Sequence, residues 1–243
     1  MTPTETVCAL VRSHETARRL QGQTRPPDDV LVHDGSAGER LRAALERDAT
    51  WFWLLEDDVV PDPAALAQLL GPVGLGDALP APVLVASKVV GPDGRLDRRS
   101  APWPRRRGEL LVTASRHRLV ALRLVGWGSL LVRRDALTDH PLPRAGFAGG
   151  AEALEWTARV LAEGHGYMAP RSVATRDARS ARPEEELRAR VAVIPSDCWV
   201  RHERLRFAFH VGVDAMRDLR SGPRARTLAA LARGAVAGVI AGR

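Results

Sequence analysis

An α/β fold, with a mixed but mostly parallel sheet flanked by helices and a helical tail at the C-terminus, follows from three observations. Short apolar runs alternate with helix-like segments, the strand, helix, strand, helix order that parallel pairing requires. Several of those runs end in polar clusters, as strands do where an open sheet meets its ligands. The chain has 243 residues, 45% of them hydrophobic, enough to bury a sizeable core.

The first apolar run, Val7 to Val11 (VCALV), is β-branched at both ends and reads as a buried strand. Glu15 to Gln21 reads as a short helix, and the paired prolines of QTRPPDD enforce an extended entry into VLVHD, the second strand. Asp34-Gly35-Ser36 then turns into a helix over GERLRAALERD. The third strand is the start of WFWLLEDDVVPDP, after which Asp62 and Pro63 predict a helix start, as N-cap and first-turn residue, with an end near Gly71. PVLVASKVV predicts a fourth strand and GPDG a tight turn. Residues 97–118, rich in arginine and carrying Trp103 between prolines, read as a long irregular loop, of the kind that is functional or mobile. LVALRLVGWGSLLVRRDAL adds strand material around Gly126-Trp127-Gly128, and Glu152 to Glu163 is an amphipathic helix. Arg176 to Arg190 is polar enough for a loop and a solvated helix. From about Ser196 the chain changes to two basic amphipathic helices, separated by Ser221-Gly222-Pro223, which divides it into a main domain (1–195) and a helical extension (196–243).

The formal charge is +7, and Lys88 is the single lysine among arginines. Neither an aromatic-basic single-strand signature nor zinc-finger spacing accompanies the charge, so anionic small molecules and phospholipid headgroups are expected before nucleic acid. No apolar run is long enough for a membrane span, and the N-terminus lacks a leader pattern. A cytoplasmic protein is the expectation, with peripheral contact at the inner face of the cell membrane open to the basic tail. Cys8 and Cys198 have no CxxC partner and read as small buried hydrophobes.

Three polar clusters fall at predicted strand ends: Arg12 to His14, Asp34 to Ser36, and Glu56 to Asp58. The last is the informative one. Adjacent carboxylates repel and raise each other's pKa unless a cation or hydrogen-bond donors compensate. In an extended segment alternate residues share a side, so Glu56 and Asp58 can share one ligand while Asp57 faces elsewhere. A divalent cation such as Mg²⁺ or Mn²⁺, bridging to diphosphate oxygens, suits that arrangement.

VCALVRS, QTRPPDDVLVHDGS, WFWLLEDDVVPDPAAL, VGWGSLLVRRDAL and FAGGAEALEWTARVLAEGHGYMAP stand in the order and spacing of the family 2 glycosyltransferases. The chain resembles the bacterial rhamnosyltransferase and galactofuranosyltransferase branch over about residues 5–175, and the tail, WVRHERLRF with LARGAVAGVIAGR, is similar to the end of such enzymes. The resemblance implies a GT-A fold, a nucleotide-sugar donor, a glycan, lipid-linked or small-molecule acceptor, and inversion at the anomeric carbon. It implies that Asp34 contacts the nucleotide base and that Glu56-Asp57-Asp58 is the DXD-type element, with Glu56 on the ribose or metal side and Asp58 as metal ligand. It further implies donor contacts at Arg12, Asp57 and Lys88, and a sugar and acceptor wall at Trp127, Gly128 and Ser129.

An inverting transfer needs a base at the acceptor hydroxyl. In the register of the resemblance Ala153 stands where the base is usual, which leaves Glu152 as the candidate, through a shift of the glycine-rich FAGGA loop, and Glu155 as the fallback. Both glutamates also suit the N-terminal turn of a helix through its dipole. Arg176 stands at about the place of a metal-binding histidine in relatives. Arginine does not ligate cations but can neutralise a leaving diphosphate, which leaves the metal either weakly held or dispensable; His165 is the alternative ligand nearby. These departures leave open a second class of function, a non-catalytic GT-A-like protein that binds nucleotide sugar or serves as a partner subunit. A nucleotidyltransferase would need a glycine-rich phosphate loop near the first strand, which is missing.

Overall fold

The computed structural model describes residues 5–97, 99–100, 102–105, 108–143, 150–177, 190, 192–194 and 201–219. The expected second tail helix, Cys198, most of the polar stretch after Arg176, and the FAGGA loop up to residue 149 lie outside the described residues.

The first half of the chain builds as its pattern dictates. Strand β1 (Val7–Val11) leads through Ser13, whose hydroxyl accepts from the Thr16 amide, into helix α1 (His14–Arg19) and a 3-10 turn over Leu20–Gly22. Strand β2 (Asp29–Val32) leads into α2 (Ala37–Ala44), which opens on a capping box between Ser36 and Glu39. Strand β3 (Trp51–Leu55) follows. Both β1 and β3 are buried on both faces, which is why they read as unbroken apolar runs rather than alternating ones.

Past β3 the sequence expectations need correction. Val59–Pro61 forms a short strand, β4, and the extended ladder continues one residue further because the Asp62 amide donates to the Val173 carbonyl at 3.0 Å. Asp62 is therefore not a helix cap. Helix α3 (Ala65–Leu70) starts later, without a side-chain cap, and passes into a 3-10 turn over Gly71–Leu75. Strand β5 (Leu84–Val90) and the tight turn after it are as expected. The supposed loop over 97–118 instead contains β6 (Trp103–Pro104) and α4 (Glu109–Arg116), the helix held by Ala114 with Leu110 packed beside it. Next come β7 (Val120–Leu124), β8 (Ser129–Arg133), α5 (Arg134–Thr138) and α6 (Ala151–Glu163). The eleven-residue β9 (Gly166–Arg176) was not legible as a strand, because Pro170 and Arg171 interrupt it at an irregularity in its pairing with β5. Helix α7 (Arg201–Leu219) is the first helix of the tail.

These strands form one nine-stranded sheet in the order β2-β1-β3-β8-β5-β9-β7-β6, with β4 added to β9. Strands β2, β1, β3, β5 and β9 run the same way; β8, wedged between β3 and β5, is antiparallel to both, as β7 and β4 are to β9. The two faces carry separate cores. Cys8, Leu10, Phe52, Leu54, Ala86 and Leu130 face α2, α5 and α6, while Ala9, Trp51, Trp53, Val85 and Leu131 face α3 and α4. Fully burying an aromatic such as Trp53 removes about 150–250 Å² from water, worth about 4–6 kcal/mol at ~25 cal/mol per Å². Cys8 behaves as a core residue: burial pushes its thiol up to about 12. Helix α7 packs through Phe207 and His210 on Trp103, with ring centroids 5.2 and 5.0 Å apart, and through a 2.8 Å ion pair between Glu203 and the buried Arg123. Among the described residues no helix is long and apolar enough to cross a membrane.

Candidate active site

The carboxyl ends of β1, β2, β3, β5 and β9 lie on one rim because those strands point the same way, and the sequence clusters meet there. At the end of β1 the Arg12 side chain donates to the Asp34 carbonyl at 3.3 Å, with the Asp34 carboxylate exposed at the end of β2. At the end of β3 the three acids separate as alternation requires. Asp57 turns to α1, where its Oδ1 accepts from Ser13 Oγ at 3.2 Å and Thr16 Oγ1 at 2.9 Å. The donor contact expected of Asp57 is thus replaced by a positioning one, tying the start of α1 to the end of β3.

Glu56 and Asp58 turn the other way, toward Arg176. Register explains the meeting: β4 runs antiparallel to the end of β9 with Val59 opposite Arg176, and the Asp177 amide donates to the Asp58 carbonyl at 2.8 Å. From that fixed backbone the guanidinium reaches three acids. Nη2 donates to Glu56 Oε2 at 2.7 Å, Nη1 to Asp58 Oδ1 at 2.6 Å and Nε to Asp97 Oδ2 at 2.9 Å. Nη2 also lies within hydrogen-bond reach of Ser100 Oγ and of the Trp127 carbonyl. The second oxygen of Asp58 accepts from Arg99 at 3.0 Å. The Arg176 side chain is only 3% exposed. Burial alone would lower its pKa, but Glu56, Asp97 and Asp58 outweigh burial and raise it. Arg176 was expected to face the leaving diphosphate; its guanidinium is engaged by protein acids instead.

Arg99 and Ser100 come close to the glycine-rich turn between β7 and β8. A Cβ on Gly126 would lie 2.1 Å from the Arg99 carbonyl, and one on Gly128 2.5 Å from Ser100 Oγ. Glycine at both positions lets the turn pass under that segment, and the Gly128 carbonyl accepts from the Glu56 amide at 3.0 Å. Trp127 between them is 4% exposed. Its indole N–H donates to Glu152 Oε1 at 3.3 Å, and its ring packs tilted on Trp156 at 5.8 Å. Ser129 does not line the sugar side as expected. As the first residue of β8 it shares a face with Leu131, and its hydroxyl joins a buried chain from Trp53 Nε1 through Ser129, Ser87 and Ser172 to the Ala65 carbonyl.

Helix α6 carries both candidate bases, and the structure separates them. Glu155 is 1% exposed and paired with Arg159, which also holds the Pro141 carbonyl, so this acid fastens a helix to a loop. Ala153 is fully buried in the core. Glu152, in the first turn after Gly150, is half-buried with Trp127 as its hydrogen-bond partner. Burial raises its pKa above the ordinary 4.5, with a further push from Glu56, while Trp127 and Arg40 pull it back. Thr157 holds α6 in position by bonding both backbone groups of Val125. Lys88 lies past the middle of β5, on the face of Leu84 and Ala86 that also receives α6. His165 precedes β9 at the end opposite Arg176, on the order of 30 Å away at ~3.3 Å per residue, and so is no part of the rim.

Four residues escaped the sequence reading. Asp97, Arg99 and Ser100 sit in a stretch without periodicity, and only the length of that stretch hinted at a role. Arg40 did leave a signal: it shares the buried side of α2 with Ala37, Leu41 and Ala44, a charge in a core position. It is 3% exposed, its Nη1 donates to the Leu55 carbonyl at 3.1 Å, and its Nε has no hydrogen-bond partner. Burial lowers its pKa, while Glu56, Asp57 and Glu152 counteract this. A cavity of about 330 Å³ elsewhere, lined by Gln68, Arg116, Arg118 and Arg171, contains none of these residues.

No protein-family model matches the sequence, and no curated protein matches it. Solved structures do match in fold. The Staphylococcus aureus TarS fragment 1–349 matches with a TM-score of 0.56 at 12% identity, over 96% of this chain and 81% of that one. Its complex with UDP gives 0.51 at 10%, over 90% and 73%. GalNAc-T7 with UDP, GalNAc and Mn²⁺ gives 0.54 at 11%, over 98% of this chain and 55% of that one. The chain has the GT-A glycosyltransferase fold. The Mn²⁺ of the GalNAc-T7 structure prompts a test of fit, which this site fails. Glu56 and both oxygens of Asp58 are engaged by arginines, and among the described residues no group of three His, Cys, Asp or Glu side chains could hold a metal ion.

Proposed function

We propose that this chain is a glycosyltransferase that moves a sugar from a nucleoside-diphosphate donor to a hydroxyl acceptor with inversion. One observation carries the reading: Trp127 joins two unlike acidic groups, its carbonyl against the arginine of the Glu56-Asp58 cluster and its indole against Glu152. A cluster that orders the end of β3 beside a glycine-rich turn is suited to holding a donor. A half-buried carboxylate with a raised pKa, one residue along α6, is suited to removing a proton.

In this reading Asp34 and Arg12 meet the nucleoside side, and Arg12, Lys88 and Arg99 supply positive charge for the diphosphate. The acceptor hydroxyl gives its proton to Glu152 as its oxygen attacks the anomeric carbon. The bond from that carbon to the diphosphate breaks on the opposite side, and the electron pair leaves with the phosphate. Burial makes Glu152 a stronger base than a solvated carboxylate, and the Trp127 N–H fixes its direction.

Calorimetry with a panel of nucleoside-diphosphate sugars, followed by assays of slow donor hydrolysis, tests the proposal. Binding of one donor class together with hydrolysis is the expected result. Binding without turnover, whatever the acceptor, would assign the chain to the non-catalytic class, and binding of none would end the reading.

A further inference from the structure

We propose that Arg176 is the resident cation of this site: its guanidinium stands between Glu56 and Asp58 where a divalent metal would otherwise sit, so that the nucleotide donor binds without a metal. The donor half of this inference rests on the function proposed above; the cation half does not.

The geometry is that of a filled cation site. Glu56 and Asp58, from the end of β3, and Asp97, from the segment after β5, converge on one group at 2.7, 2.6 and 2.9 Å. Such convergence of acids is unfavourable unless a positive charge lies at its centre, and the charge here is covalently part of the chain. A guanidinium suits the place because its planar fork offers donors in several directions and it does not deprotonate at accessible pH. It is also held there by more than its acids. Ser100 Oγ and the Trp127 carbonyl lie within reach of Nη2, and the β4–β9 ladder fixes the backbone on either side.

A divalent ion entering this cluster would have to take Glu56 Oε2 and Asp58 Oδ1 from Arg176. It would then leave a buried guanidinium with only one of its three carboxylates and beside a second positive charge. Arg99 on the remaining Asp58 oxygen closes the outer side, with its side chain one-third exposed. Arg176 thereby does the ordering that a metal would do for this acidic segment, while the charge of the diphosphate falls to the cations around the cluster. The consequence is that donor affinity is indifferent to chelators.

Titration of the full chain with Mn²⁺, followed by electron paramagnetic resonance, tests the cation half with no donor present. The expected spectrum is that of free Mn²⁺; one equivalent bound by the wild type and released by Asp58→Asn would overturn the proposal. The donor half is read by calorimetry with UDP in EDTA and in Mn²⁺, where equal affinities within about twofold are expected and a tenfold gain with Mn²⁺ would contradict it. If UDP and the donor panel bind in neither condition, the proposed function fails while the Mn²⁺ result still decides the role of Arg176. Arg176→His puts beside the three acids an imidazole that can give up its proton and ligate a cation, and should gain one Mn²⁺ at neutral to mildly alkaline pH. A folded Arg176→His chain that binds none would show that the acids are not a cation site, and if that variant does not fold the wild-type spectrum alone decides.

Discussion

The two sides of the rim are built on opposite principles. Around Arg176 the acids are paired, so that Glu56, Asp58 and Asp97 each meet a guanidinium nitrogen within 2.9 Å. Around Glu152 the pairing is loose: its Trp127 contact is 3.3 Å long, and Arg40 nearby keeps an unpartnered Nε. Satisfied groups give rigidity, whereas an incompletely satisfied carboxylate with a raised pKa retains a capacity to take up a proton. One side is suited to holding and the other to reacting.

The largest stability effect should come from unpairing the first side. Arg176→Ala leaves three acids facing one another and should cost about 3–5 kcal/mol in urea unfolding at neutral pH. A loss below about 1 kcal/mol would mean the cluster is solvated rather than built. Glu155→Ala comes next, at about 1–3 kcal/mol, because it takes the carboxylate from the mostly buried Arg159 guanidinium and leaves it only backbone carbonyls; donor affinity should be unchanged. Ser129→Ala should cost about 1 kcal/mol by interrupting the buried hydroxyl chain, again without an effect on donor affinity. If Ser129→Ala weakens donor binding instead, the hydroxyl has a role in the site that its position in β8 does not predict.

The smallest effect, with the most informative sign, belongs to Glu152. Its folded pKa lies above the unfolded value, so the folded state keeps the proton to higher pH. The stabilisation from that proton is complete below about 4.5 and is lost as pH rises through the raised value. Glu152→Gln keeps an acceptor for Trp127 and removes the charge, so it should melt higher than wild type at neutral pH and level with it in acid. A lower melting temperature at neutral pH would show that the ionised carboxylate is better compensated than its burial implies.

Much of this was legible in the sequence, for physical reasons that differ by region. Strands β1 and β3 have both faces covered and so left unbroken apolar runs, and the acids at their ends stood out against that background. Strand β9, equally central, was hidden by Pro170 and Arg171, which break the run although the strand continues past them. The α4 helix was lost among arginines and prolines whose charge masked a short apolar side. In the site, Arg12, Asp34, Glu56, Asp58, Trp127 and Glu152 come to the rim as a group. Ser129 was read toward the sugar because Gly-Trp-Gly-Ser looks like a lining loop, but strand alternation begins at Ser129 and turns it into the core. Asp97, Arg99 and Ser100 reach the site through contacts distant in sequence, which no local pattern encodes. Arg40 alone could have been found, from its phase on α2.

The division of the rim is tested most directly by single-turnover donor hydrolysis with Glu152→Gln and Glu155→Gln, measured beside donor affinity. The account predicts that Glu152→Gln binds donor as wild type does but turns it over about 10²–10⁴-fold more slowly, while Glu155→Gln keeps its rate. Equal turnover in Glu152→Gln and wild type, or a loss confined to Glu155→Gln, would contradict it.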